Sequence, residues 1–545
     1  MACARGTRRV PGPALFAGAA LLLFLLALAP RFAAAADEQP VRGDTMVEGS
    51  IGDASNLLPA LAADSSSFDI IGQVYNGLVR YDKNLTLEPE LAERWEVSPD
   101  GLVITFHLRK GVAWHDGAPF TAADVEYTYR VMIDPKTPTA YGEDFRQVKK
   151  FEVLDPATVR ATYDKPFAPA LASWGFSVMP KHLLAGKEIT TSPLARAPIG
   201  TGPYRFKEWK PGEKIVLEAN DAYWEGRPNI DRIIYRIIPD SATMFLELRA
   251  GSVDMMGLEP LQYTRQTDTD AFRKNYNKYR YLASSYTYLG FNLKLPLFQD
   301  KRVRQAISHA VNKQEIIDIV LLGLGKEATG PYKPGTWAYN PDVKRYPFDQ
   351  ARAQALLAEA GWATKGADGI LTKGGERLAF TLLTNQGNKT RSKAAEVIQK
   401  NLKAVGIDVS IRVVEWAAFL KEFVNPRKFD AVILGWTVPP DPDAFDVWHS
   451  SKTGPAELNH VSFKNAEADA LIEKGRRTFD QEARRKAYAR FQEILAEEQP
   501  YVFLFAPDAL PIVAARFKGI APAPAGISYN FIKWWVPKAE QKYTR

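Results

Sequence analysis

The spacing of apolar residues changes along the chain, and each change predicts a different kind of structure. From Phe68 to Val79 the apolar positions Ile70, Ile71, Val74, Leu78 and Val79 recur at helical spacing and predict a helix with one buried face. The stretch WEVSPDGLVITFHLR predicts two strands joined by a turn at Pro99-Asp100-Gly101. In the second strand Ile104, Phe106 and Leu108 share one face and Val103, Thr105, His107 and Arg109 the other, so His107 reads as a solvent-face residue rather than a ligand. FEVLD and TVRATYD predict a further hairpin near residue 151, and strand patterns recur from Tyr204 to Ile238. From about Tyr281 strands and helices alternate. YTYLGFNL, LAFTLLTN, IDVSIRVVEW, KFDAVILGWT and YVFLFA predict strands. VRQAISHAVNKQEIIDIVLLG predicts one long helix, and DQARAQALLAEAGW a helix capped by Asp349 and stopped by Gly361. KAAEVIQKNLKAVG and QEARRKAYARFQEILAEEQ complete the helices, and the alternation predicts a mixed or parallel sheet. No repeat of solenoid or propeller period is present.

The first residues follow another pattern. Arg5, Arg8 and Arg9 precede an apolar run from Pro13 to Ala29, and RFAAAADEQ then supplies small residues, which is the layout of a secretory signal peptide over 1–36 cut after Ala36. The run is short for a membrane-spanning anchor. Cleavage removes four arginines and no acids, lowering the net charge from +7 to +3, a balance that gives no support for nucleic-acid binding. It also removes the only cysteine, Cys3, which precedes the apolar run and so cannot carry a lipid at the cut. The expected product is an exported, periplasmic chain without disulfides or thiol chemistry, and not a lipoprotein.

Candidate chemistry is sparse. The six histidines, His107, His115, His182, His309, His449 and His460, form no HExxH or Cys/His cluster, so no metal is expected. No GxSxG nucleophile motif occurs. In IGTGPYRF a proline and a strand, not a helix, follow Gly200 and Gly202, which excludes a nucleotide loop. The acidic run DPDAFD, Asp441 to Asp446, lacks the glycine and terminal glutamate of a calcium loop and reads as a turn carrying carboxylates into a polar pocket. The pair His115-Asp116 in WHDGAPFTAADV reads as a turn, with Thr121 and Asp124 at capping-box spacing ahead of a helix through Val125, Tyr129 and Met132. No catalytic residue and no cofactor are expected. Trp416 and Trp436 fall at the C-terminal ends of strands, where α/β sheets bind ligands.

Four blocks in order, GQVYNGLVRYDKNLTLEPELAERWEVSPDGLVITFHLRKGVAWHDGAPFTAADVEYTYR, IGTGPYRFKEW, FNLKLPLFQDKRVRQAISHAVNKQEII and YPFDQARAQALLAEAGW, make the chain resemble the family 5 extracellular solute-binding proteins of ATP-binding cassette importers. The resemblance implies an α/β, two-lobed periplasmic binding protein fold of the class C type, hinged around a ligand cleft, with an extra domain inserted in the first lobe. It places lobe I at 37–72, 198–285 and 508–545, the extra domain at 73–197 and lobe II at 286–507. It implies a monomer that hands a peptide or other small polar solute to a membrane permease. In peptide binders of the family an aspartate soon after a Gly-Trp strand end pairs with the ligand amine. Here Val438, Pro439 and Pro440 stand nearest that place, and Asp441 and Asp443 follow. The expected ligand residues are therefore Asp441 or Asp443 for a cation, Trp416 and Trp436 as apolar walls, Asn385 and Gln386 for hydrogen bonds, and Ser66 in the lobe I loop facing the cleft. Dipeptide binders carry basic and aromatic residues where this chain has Asn385, Gln386 and Asn388, so longer peptides or an oligosaccharide-like ligand stay open. An enzyme on this scaffold, or a receptor that signals ligand rather than importing it, are the other readings.

Overall fold

The computed structural model describes residues 39–543, and the expected signal peptide lies outside them. Among the described residues no helix is long and apolar enough to cross a membrane. Two large sheets organise two lobes. The first runs in the order Tyr276–Lys278, Pro511–Ala514, Met255–Gly257, Thr45–Ser50, Arg232–Ile237, Lys214–Ala219 and Tyr204–Lys210. The second runs Tyr281–Leu282, Tyr501–Ala509, Ser285–Phe291, Ala431–Thr437, Ala379–Asn385 and Asp408–Val414, with Gly325–Glu327 beside Tyr501–Ala509. The mixed sheet expected after Tyr281 is thus present: Ala379–Asn385 pairs parallel with Asp408–Val414, and Ser285–Phe291 antiparallel with Ala431–Thr437.

Strand alternation explains why the second sheet is buried on both sides. Ala431, Ile433, Val502 and Leu504 face one core with the helices Lys301–Ala310, Gln350–Glu359 and Lys389–Ala404. Val432, Leu434, Tyr501 and Phe503 face the other, where Trp448, Tyr488 and Phe491 pack. Two-sided burial is what makes these strands nearly continuous apolar runs. A separate four-stranded antiparallel sheet, Ala92–Val97, Val103–Leu108, Thr158–Tyr163 and Val148–Asp155, falls within the segment expected as the extra domain. Its buried face, including Ile104, Phe106 and Leu108, packs against Val125 and Met132 of helix Ala122–Ile133.

The turn at WHDGAPFTAADV behaves as its spacing predicts. Thr121 and Asp124 form a reciprocal capping box, and the Asp116 carboxylate accepts a hydrogen bond from Ala118 N–H at 3.1 Å. His115 is buried. Its Nδ1 accepts from Gly200 N–H at 3.2 Å and its Nε2 lies 3.0 Å from the Gly202 carbonyl, a pattern that requires the neutral ring protonated on Nε2. A side chain at Gly200 would collide with the Val74 carbonyl, so this glycine serves close packing on the end of a helix.

Two helices differ from expectation. The first spans Ser65–Val74 rather than Phe68–Val79. It starts earlier because Asp64 caps it, and it stops because Tyr75 is extended and Gly77 N–H donates to Glu90, turning Val79 into strand Val79–Tyr81. The long helix expected from Val303 breaks after Ala310. Val311 is extended, and the Asn312 side chain starts a new turn by accepting from Glu315 N–H.

The described C-terminal segment is anchored by charge. The guanidinium of Arg516 sits between the fully buried carboxylates of Asp44 and Asp254, 2.7 Å from Asp254. Arg516→Met leaves both carboxylates buried without that cation and is expected to lower stability by about 3–5 kcal/mol, read from urea denaturation. A second expectation concerns acid. Burial holds the His115 ring down at about 4, so its contribution is complete above the ordinary histidine value of about 6.5 and is lost as pH falls from there toward 4. The drop in melting temperature between pH 6.5 and 4 is expected to shrink in His115→Gln, measured by calorimetry at both pH values.

Candidate functional site

The two lobes enclose a cavity of about 870 Å³, within the range of roughly 300–1,000 Å³ typical of ligand pockets. From the first lobe, helix Ser65–Val74 and the loop before it supply Ser55, Asp64, Phe68 and Asp69. The Asp64 carboxylate fixes that approach by accepting from Ser67 N–H at 3.0 Å and Ser67 Oγ at 2.7 Å. From the second lobe come strand residues Ser285–Thr287 and Leu434–Thr437, the start of helix Lys389–Ala404, and Trp416. Phe505, Pro507, Asp508 and Leu510 line it where the chain passes between the sheets.

The lobes meet on both rims. On one, Gly52 leaves no room for a side chain against the Trp416 indole, and Lys389 Nζ lies 3.2 Å from Asp240. On the other, Arg476 at the end of helix Ala466–Arg476 pairs with Asp144 of helix Gly142–Arg146, and its carbonyl accepts from Ala168 N–H at 2.6 Å. The Arg476 guanidinium lies over the rings of Phe167 and Phe445, at 4.9 and 4.3 Å, so charge and apolar surface hold this rim together.

The expected ligand residues divide by position. Trp416 and Trp436 both line the cavity. Trp436 stacks on His460, ring centroids 5.4 Å apart, and its indole N–H donates to the Tyr501 hydroxyl at 3.3 Å. Ser66 belongs to the first turn of helix Ser65–Val74 rather than to a loop, and lines a side pocket of about 60 Å³ with Glu48, Asp69 and Tyr235. Asn385 is buried off the cavity wall. Its side-chain carbonyl accepts from Arg391 Nη1 at 2.8 Å, so it holds a wall residue instead of being one. Gln386 is exposed, and its backbone N–H donates to the Val414 carbonyl. Asp441 and Asp443 do not line the cavity. Asp441 accepts a forked pair from Arg484 at 2.8 and 3.0 Å, and Asp443 lies 2.9 Å from Arg476 Nε. Burial holds the Asp443 carboxyl up at about 6 against the pull of that arginine. The acidic run is therefore a knot of ion pairs, in which Lys452 also reaches Asp446 at 3.1 Å.

Among the wall residues that escaped sequence reasoning are Asp69, Arg391 and His460. Asp69 is a carboxylate inside the run FDII, and Arg391 is a cation in the first turn of a helix, at the positive end of its dipole. Both are local anomalies that a pattern search could have flagged. His460 carries no such signal. It is 5% exposed, burial lowers it to about 3, and its Nδ1 has no hydrogen-bond partner among the described residues.

Known proteins share this sequence pattern and fold. A family model for bacterial extracellular solute-binding proteins, family 5 (middle), matches residues 86–457. The oligopeptide-binding protein AppA of Bacillus subtilis (strain 168) is 35% identical over 515 residues, covering 92% of this chain and 93% of that protein. Its structure in complex with a nonapeptide has TM-score 0.88, covering 92% of this chain and 100% of that one. NikZ from Campylobacter jejuni in complex with Ni(L-His) has TM-score 0.83 at 29% identity, covering 90% and 99%. The periplasmic binding protein DppA from Helicobacter pylori in complex with the peptide STSA has TM-score 0.83 at 30% identity, covering 91% and 99%.

Arg476→Met leaves Asp144 and Asp443 facing each other across the rim without their cation. The radius of gyration from small-angle scattering is expected to rise and the melting temperature to fall, whereas Arg477→Met, at a half-exposed neighbour, leaves both unchanged. An unaltered radius would show that this contact does not hold the lobes together.

Proposed function

The chain belongs to the bacterial extracellular solute-binding proteins of family 5, and we propose that it is the periplasmic substrate-binding subunit of an ATP-binding cassette importer that captures a peptide-like solute between its lobes. Lobe I (37–72, 198–285 and 508–545), carrying the extra domain (73–197), and lobe II (286–507) close around the solute, and the closed monomer presents it to the membrane permease. No catalytic step is needed. Trp416 and Trp436 supply apolar walls, Ser66 stands at the side pocket, and Asn385 acts through the wall residue it holds. Asp441 and Asp443 shape the loop behind the cavity through their arginines. Gln386, at the end of strand Ala379–Asn385, lies beside this set.

The observation that carries the reading is the cavity itself. It is large, lies between two lobes that touch on both rims, and is lined by aromatic rings together with polar side chains, three of which, Trp416, Arg391 and His460, each carry a buried polar atom without a partner among the described residues. Buried polar atoms without partners are costly, so a wall that keeps several of them is suited to a ligand with hydrogen-bonding groups. The complexes of AppA with a nonapeptide and of DppA with STSA support a peptide as that ligand.

Mass spectrometry of solutes that co-purify with the exported protein is expected to recover peptides, and titration calorimetry with the leading one to give saturable binding. Recovery of only sugars or other non-peptide solutes would overturn the peptide assignment, and turnover of a bound solute would overturn the binding role.

A further inference from the structure

We propose that a groove on the outside of the first lobe seats an acidic segment of the membrane permease, one that carries apolar anchors between its carboxylates. This rests on the importer reading above and names a surface for the hand-over that reading requires.

The groove lies between helix Ser241–Ala250 and the short helix Asp270–Asn275 and encloses about 790 Å³. Ala242, Phe245, Leu246 and Arg249 recur at helical spacing and form one wall. On the other wall Phe272 stacks on Phe245, ring centroids 5.7 Å apart and planes 5° from parallel, and Tyr276 packs against Phe272 at 5.5 Å. Phe272 and Tyr276 also line a neighbouring hollow of about 280 Å³ with Arg273 and Lys278. Leu246 is 58% exposed and Leu261 37%, and the two share this groove. Apolar side chains gathered on one patch of surface mark a contact with another macromolecule, whereas scattered ones do not.

The surrounding charges select the partner. Arg249 lines the groove, and Arg265 and Lys274 stand on the elements that border it. All three are exposed and lack a carboxylate partner among the described residues. Lys278 is held by neutral acceptors, the Tyr263 carbonyl at 2.9 Å and the Thr267 hydroxyl at 3.1 Å, so its charge is not cancelled. The acids of the same segment are fewer. Asp268 and Asp270 share Arg273, at 2.5 and 2.8 Å, and Glu259, a groove residue, accepts from Ser241 Oγ at 2.5 Å. An apolar groove bordered by an excess of cations fits a chain of opposite charge with apolar anchors. A second copy of this protein would set the same cations against one another. A lipid surface would meet the cations and leave the stacked rings between the helices unfilled.

The groove also shares its walls with the parts of the molecule that feel the solute. In the segment 258–262, Leu258 and Pro260 line the solute cavity, and Glu259, Leu261 and Gln262 line the groove. Helix Ser241–Ala250 begins on the rim where the lobes meet. Its cap, Asp240, lies 3.2 Å from Lys389 Nζ, and Gly387 of the second lobe sits so close to Pro239 that a side chain there would collide with the Pro239 carbonyl. A partner in the groove therefore touches two elements whose other sides meet the solute and the second lobe.

The test is association of the full-length exported protein, loaded with its leading co-purified peptide, with nanodiscs that hold the permease and ATPase subunits of the same bacterium. Empty nanodiscs of the same anionic lipid serve as the comparison. The wild type is expected to bind the importer discs saturably and more weakly as salt rises. Leu246→Gln and Arg249→Glu are each expected to raise the Kd for the importer at least tenfold while leaving the Kd for the peptide unchanged in calorimetry. Val153→Gln and Lys149→Glu, exposed changes of the same kind on strand Val148–Asp155 of the extra domain, are expected to match the wild type. Melting curves confirm that each variant is folded. Importer binding unchanged in the groove variants would overturn the assignment and leave the importer role standing. Equal binding to empty discs, a wild-type dimer in sedimentation that Leu246→Gln dissolves, or loss of peptide affinity in the groove variants would overturn it in favour of a membrane, a second copy or the solute. A wild type that captures peptide but binds no importer disc would overturn the importer role as well.

Discussion

The structure depends on one short ribbon. The chain leaves the first sheet after Lys278 and enters the second at Tyr281, then leaves the second at Ala509 and re-enters the first at Pro511. The two passes are hydrogen-bonded to each other: Tyr281 and Leu282 pair with Ala509 and Asp508, and Tyr279 N–H donates to the Pro511 carbonyl at 2.9 Å. Among the described residues these are the two places where chain passes between the sheets. The lobes are otherwise joined by contacts across the cleft, which can form and break. A two-stranded connection lets two stiff, separately cored bodies rotate while keeping the strand ends that carry the ligand walls facing each other.

With the lobes so joined, burial sorts the charges. Away from the cavity a buried charge finds a partner: Arg516 lies between Asp44 and Asp254, and Arg476 between Asp144 and Asp443. Each arrangement is stable because an unpaired charge in low dielectric is expensive. Against the cavity wall the rule fails at Arg391, whose guanidinium has no carboxylate partner among the described residues and bonds to the neutral amide of Asn385. The carboxylates of the acidic loop are already neutralised by cations from the same half of the chain, Arg484, Arg476 and Lys452.

Much of the fold was legible in the sequence because it follows from local periodicity. The alternation in Val103–Leu108 and the apolar runs of Ala431–Thr437 and Tyr501–Ala509 match their burial residue by residue. Errors fell where a single polar side chain decides a boundary, as with Asp64 starting one helix early and Asn312 restarting another. The candidate site was legible only in part. Trp416 and Trp436 could be placed on the cavity wall because strand ends are predictable positions. Asp441 and Asp443 were singled out because their spacing after Gly-Trp is visible in one dimension and their arginine partners, Arg484 and Arg476, are not.

The sequence by itself determined most strands and helices up to boundaries set by single polar side chains, the change from a β-rich first half to alternating strand and helix, and the turn chemistry at His115-Asp116, because periodicity and capping act over a few residues. Only the tertiary structure decided which charges are satisfied. Asp69 and Asp441 are equally acidic on paper. One lines the cavity without an ion-pair partner among the described residues and the other accepts a forked arginine, and the difference is made by which elements the fold brings together.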